Sequence, residues 1–247
     1  MSHRRSLLII TIITLMFSMV APNHAAVSLG GTSGLINIPV AQVLEDRQVT
    51  IGLGMVNRHS AYIQKDISDN FPFYIVIGYL PRLEISVGAT FVPGKKSYDG
   101  TNTYKDGVIG LQCLLVREKS FVPDLAIGVR DIYRYILLNT TYCVLSKTIA
   151  KYPSSSFRIH FGYGSDMIDE HIQVAESDKH RPVGHTIVGM FGGLEFNWRN
   201  FVTLMVEYDS DRFNSGLRMH VNRFLYVDID ALNMEDVSGS INFLFRL

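Results

Sequence analysis

The side chains in this sequence best placed to do chemistry are charged residues on alternate positions of otherwise apolar runs. Glu84, Arg130, Arg158, Glu195, Glu207, Arg218, Asp228 and Asp230 all occupy the polar phase of such runs. Acids and guanidiniums on one face of neighbouring extended segments can pair across strands, and buried charges need such partners. Glu195, Glu207 and Arg218 fall on consecutive runs with the same facing, so an ion network that plugs an enclosed lumen is expected of them. The alternative chemistry for the same residues is a polar binding or conduction path.

Other reactive types give less. Acyl-transfer chemistry needs a His beside a Ser and an orienting Asn or Asp. His59, His160, His171, His180, His185 and His220 show no ligand spacing, and His160 and His220 read as lumen residues. The GGTSG stretch at 30–34 lacks the Lys and the spacing of a phosphate loop and reads as a flexible lead into the fold. Cys113 and Cys143 are separated by one strand, which puts their backbones about 10 Å apart, too far for a disulfide. Two free, apolar-facing thiols are expected. No catalytic residue, metal or cofactor is expected, and the chain reads as a non-enzyme.

The elements that position these residues announce themselves by period 2. Val49, Ile51, Leu53 and Met55 alternate with Gln48, Thr50, Gly52 and Gly54, and the pattern recurs at 83–91, 157–163 and 225–231. Strands are expected near 47–56, 71–79, 83–91, 107–117, 124–131, 139–147, 157–164, 186–197, 202–209, 213–220, 224–232 and 239–247. The connections at 57–70, 92–105 and 165–185 are long and polar, whereas those after the second, eighth and tenth strands are short. An even number of strands, about twelve, with long loops at one end and short turns at the other, is the pattern of an antiparallel up-and-down transmembrane β-barrel.

Alternation alone does not say which face is outside. The polar phase is rich in Gly (52, 54, 88, 110, 128, 162 and 216) and in charges of both signs, and it is nearly free of Lys. A tight lumen explains that better than a face in water, so the apolar phase is expected to meet lipid. The rejected alternative is a soluble barrel with an apolar interior.

The first 26 residues read as a signal peptide: Arg4 and Arg5, an apolar run from Leu7 to Val20, then APNHAA, with cleavage after Ala26. The alternative is an uncleaved amino-terminal anchor. Removing residues 1–26 takes two basic residues and no acid, leaving 221 residues with 21 basic against 23 acidic side chains. That length suits one β-domain, divided as a lead segment at 27–46 and a barrel at 47–247. No clustered basic stretch shows in the sequence, and no nucleic-acid partner is expected. The last run alternates Ile241, Phe243, Phe245 and Leu247 with polar neighbours, resembling the terminal signal by which outer-membrane barrels are recognised for insertion, with Leu247 where an aromatic is commoner.

Several strings carry a family resemblance together: GGTSGLINIPVAQVLEDRQVTIGLG (30–54), LPRLEISVG (80–88), LSKTI (145–149), HFGYG (160–164), FGGLEFNW (191–198) and VEYDSDRFNSGLRM (206–219). In that order they resemble the YjbH family of exopolysaccharide-associated outer-membrane proteins. The resemblance implies an outer-membrane barrel with a structural or transport role in exopolysaccharide assembly or export. Its implied partners are membrane lipid, polysaccharide and co-encoded envelope proteins. Members are often longer, so this chain looks like a shortened, single-barrel version. The resemblance brings no catalytic residues; Thr32 to Pro39 and Glu207 to Gly216 are matched motifs. A passive small-solute pore and, further off, a lipid-modifying barrel enzyme are the competing functions.

Overall fold

The computed structural model describes residues 25–61, 68–94, 102–132, 139–166 and 187–247. The chain forms twelve strands: β1 (Gln48–Met55), β2 (Phe71–Gly78), β3 (Leu83–Pro93), β4 (Thr103–Val116), β5 (Asp124–Arg130), β6 (Thr140–Lys151), β7 (Ser155–Asp166), β8 (Gly189–Trp198), β9 (Val202–Tyr208), β10 (Phe213–Asn222), β11 (Leu225–Leu232) and β12 (Asp236–Arg246). Each pairs antiparallel with its chain neighbour, and β1 pairs with β12 from Gln48↔Arg246 to Met55↔Gly239, which closes the barrel. Closure leaves no open sheet edge.

Every expected strand is present, and the differences lie at the ends. β4 begins at Thr103, earlier than expected, because Lys105, Asp106 and Gly107 blur the apolar phase while still pairing with Phe91, Thr90 and Ala89. β6 runs on to Lys151 through a register shift between Thr148 and Ala150. A bulge inserts one residue and so resets the period, hiding the strand's continuation from a strict alternation test.

The two faces separate as their chemistry requires. Leu53, Phe73, Val87, Ile127, Phe161, Leu194, Leu204, Ile229, Ile241 and Phe243 stand exposed on the outer wall. Glu84, Arg158, Glu207, Arg218, Asp228 and Asp230 are buried inside. A soluble barrel would show the reverse arrangement. Cys113 and Cys143 are both free, and they flank Ile127 on either side in register on that outer wall.

Lumen glycines also have a packing role. Gly52, Gly128 and Gly162 lie opposite Tyr74, Tyr142 and Phe191 on the next strands, and each aromatic ring occupies the space where the glycine's Cβ would stand. Ring over glycine covers the backbone while keeping the wall thin.

One end carries only short turns, 79–82, 117–123, 152–154, 199–201 and 223–224, together with the approach to β1 and the end of β12. The other end carries the long connections after β1, β3, β5 and β7, parts of which lie outside the described residues, and the tight connections 209–212 and 233–235.

Candidate functional site: a lumen filled by the chain itself

The flexible lead expected at GGTSG is instead a folded segment inside the barrel. Residues 25–44 are nearly all buried, with Val27, Ile38, Ala41 and Leu44 fully so. Two tight turns give the segment its shape: Gly31 donates to the carbonyl of Ser28, and Leu35 donates to that of Ile38. Gly31 has φ +76°, a left-handed conformation that suits glycine. Short antiparallel bridges, Val27 with Ser33 and Gly34 with Pro39, hold the turns together.

The driving force is apolar burial. Leu29, Leu35, Ile36, Ile38 and Val40 pack on Leu114, Tyr142, Phe191, Met205 and Leu232 of the inner wall, each larger side chain contributing about 1.5–3 kcal/mol. The wall makes room for them with glycine, since a Cβ at Gly193 would press on Leu35 and Ile38, and one at Gly216 on Ile36.

A folded segment without its own helix or sheet leaves peptide groups that must be satisfied by the wall. Glu207 accepts the N–H groups of Ile36, Asn37 and Ile38 at 3.0, 2.8 and 3.3 Å, and a further bond from Asn214 at 3.0 Å. Glu84 accepts the N–H and hydroxyl of Ser33, at 2.8 and 2.5 Å, and the N–H of Leu44 at 3.0 Å. Carbonyls are met by cations and amides. Arg218 donates to the carbonyls of Leu35, Gly34 and Val27, and Gln112 to those of Val40 and Gln42. Ser146 Oγ accepts the N–H of Ala41, and Tyr226 OH that of Val27.

The two motif stretches of the sequence therefore meet. Within Thr32 to Pro39, Ile36, Asn37 and Ile38 dock on Glu207, and Asn37 Nδ2 donates to Asp209 at 3.0 Å. Asn214 Nδ2 donates to the same Asp209 carboxylate at 2.9 Å. Sequence separation hides this pairing, but Glu207, a lumen-facing acid in register with Gly193 and Asn214, was a signal that other donors must come.

The charged residues singled out from sequence pair only in part with one another. Arg218 lies opposite Asp228 in the β10–β11 register and holds it with Nε–Oδ1 at 2.7 Å and Nη2–Oδ2 at 3.2 Å. The opposite residue on β9 is Thr203, not Glu207, and among the described residues no hydrogen bond or ion pair joins Glu195, Glu207 and Arg218. Arg158 faces Glu195 in register yet donates to Asp124 at 2.9 Å. Arg130 lays its guanidinium against Gly30 of the inner segment. Asp230 is buried opposite Gly216 and Ser238, and neither carboxylate oxygen has a hydrogen-bond partner among the described residues.

One chain of bonds runs around the wall unforeseen by sequence. Tyr74 donates to Asn242, Asn242 to Ser240, Ser240 to Asp228, and Asp228 receives Arg218. It links β2, β12, β11 and β10 to the carbonyls of the inner segment.

His160 Nδ1 lies 2.8 Å from Ser146 Oγ, and its Nε2 is 3.9 Å from Glu195 Oε2. The order is that of a nucleophile, a base and an acid. Ser146, however, is 1% exposed and its oxygen already accepts Ala41 N–H, so no substrate carbonyl has an approach to it in this arrangement. His220 packs beside Tyr226 with ring centres 5.6 Å apart, and His171, His180 and His185 lie outside the described residues. Among the described residues, no group of three or more His, Cys, Asp or Glu could hold a metal ion.

A family model described as "Exopolysaccharide biosynthesis protein YbjH" matches residues 27–224, most of the chain, including the inner segment and β1 to β10. The chain belongs to the YjbH family. In this YjbH-family barrel the match opens at Val27, the first residue whose N–H bonds to the wall through Tyr226, so the filling of the lumen lies within the family's own span. No curated protein matches the chain.

Proposed function

We propose that this YjbH-family barrel resides in the bacterial outer membrane, delivered by its amino-terminal signal segment, and serves exopolysaccharide assembly or export as a closed structural component. The observation that carries this reading is the occupied lumen: a segment held by Glu84, Glu207, Arg218, Gln112 and Ser146 lies inside the barrel, where a solute would pass. The exposed apolar wall supports a lipid surround, since contiguous apolar surface of this extent is costly in water. A closed barrel acts by what it presents to polysaccharide and to co-encoded envelope proteins at its two ends, without turnover of its own.

Planar-bilayer recording of the reconstituted chain tests the reading. Little or no single-channel conductance is expected, and steady conductance would instead make it a passive solute pore. Fractionation with gel mobility before and after boiling tests the location; recovery in the soluble fraction would overturn it. Turnover of labelled lipid that is lost on His160→Ala or His220→Ala, with the heat-modifiable band retained, would make it a lipid-modifying enzyme.

A further inference from the structure

Basic residues that stand singly in the sequence are gathered by the fold at the short-turn end. Three of them answer that end's exposed or half-buried acids: Lys147 with Glu118 at 3.1 Å, Arg246 with Glu45 at 3.9 Å and Arg47 with Asp46 at 3.9 Å. Arg82, Arg117, Lys119, Lys151, Arg199 and Arg223 remain, all exposed and none with an acidic partner among the described residues. They lie in, or at the strand end beside, each of the five turns.

Each of those turns also exposes an aromatic ring at the turn or the strand end beside it: Tyr79, Phe121, Tyr152, Trp198 and Phe224. Phe121 is 96% exposed at a turn tip, a placement that water alone does not favour. Arg199 lies over Trp198 at 5.4 Å and Arg223 over Phe224 at 4.5 Å, so cation and ring form composite units. The tight connections at the opposite end, 209–212 and 233–235, carry Asp209, Asp211 and Glu235 against Arg212. Against these two connections, the five turns carry a surplus of cations.

Aromatic rings favour the bilayer interface, and basic side chains at the same depth are drawn to anionic headgroups. An acidic glycan would account for the cations but not for a ring of exposed aromatic side chains beside them. We propose that the short-turn end is an annular binding surface for anionic phospholipid headgroups. The six basic residues meet phosphates while the neighbouring rings sit at the level of the acyl-chain carbonyls. This rests on the barrel being embedded in a membrane.

The full chain, reconstituted in phosphatidylcholine bilayers with spin-labelled phosphatidylglycerol or phosphatidylcholine, tests it by the fraction of motionally restricted label. The wild-type chain is expected to favour phosphatidylglycerol by about threefold at low salt, with the preference falling towards unity at high salt as surface charge is screened. Combined Arg82→Gln, Lys119→Gln, Arg199→Gln and Arg223→Gln should abolish the preference. Arg58→Gln with Lys105→Gln, at the other end, should leave it intact. An inserted wild-type barrel with no preference, or one indifferent to salt, overturns the proposal even if the fourfold variant does not fold. So does retention of the preference by that variant, or its loss in the control. Loss of oligogalacturonate binding in the fourfold variant, with lipid preference kept, would assign the ring to an acidic glycan and overturn it too. Failure of the wild-type chain to insert into any bilayer would sink the membrane reading itself, a result distinct from insertion without preference.

Discussion

Glu207 and Glu195 sit on adjacent strands, facing one lumen, and they do opposite things. Glu207 is 1% exposed and gathers three peptide N–H groups and an amide from Asn214. Glu195 is half-buried, borders a small cavity shared with Ala26, Val40 and Asn197, and approaches His160 at 3.9 Å. The same side chain becomes a structural clamp where the inner segment presses its backbone against the wall, and stays a peripheral acid where a gap intervenes. What decides is the partner brought by the chain's own N-terminal segment, not the neighbouring strand.

The largest test of that contrast is removal of the segment. A chain lacking residues 27–44 is expected to give steady single-channel conductance wherever it folds, while the full chain stays silent. Silence from a folded, heat-modifiable deletion barrel would show that the segment does not seal the lumen. Next comes Arg218→Met, which strands a buried Asp228 and three peptide carbonyls. A loss of about 3–5 kcal/mol is expected by urea unfolding in detergent or lipid. Glu207→Gln should cost about 1–3 kcal/mol, because an amide cannot accept the same set of donors. It should also raise hydrogen exchange at Ile36, Asn37 and Ile38 ahead of the strands. Glu195→Gln sits at the bottom, within about 0.5 kcal/mol of the parent and without effect on exchange in the segment. If Glu195→Gln matched Glu207→Gln, the contrast would be lost.

The strands were legible because a wall between lipid and a packed lumen enforces strict period 2, as at Val49 to Met55 and Ile241 to Phe245. Which face was outside was legible too, since glycines and charges of both signs suit only a crowded interior. The inner segment was not. Its turns look like a flexible string when GGTSG is read alone, and it has no period because it is neither helix nor strand. The readable signal was elsewhere, in Leu29, Leu35, Ile36, Ile38, Val40 and Leu44, apolar residues with no strand to belong to. In a molecule whose outer wall is already oily they can reach a core only inside the barrel. The basic ring escaped for a different reason: its members lie on separate turns, and only closure of the sheet makes them neighbours.

Closure has one more consequence. The seam joins Gln48 to Arg246, the first strand to the last, and the inner segment runs directly into that first strand. The segment's bonds reach β3, β4, β6, β9, β10 and β11, so it ties together strands from separate parts of the wall. Docking of the leading residues and closure of the seam therefore stabilise one and the same state, and whatever loosens the one loosens the other.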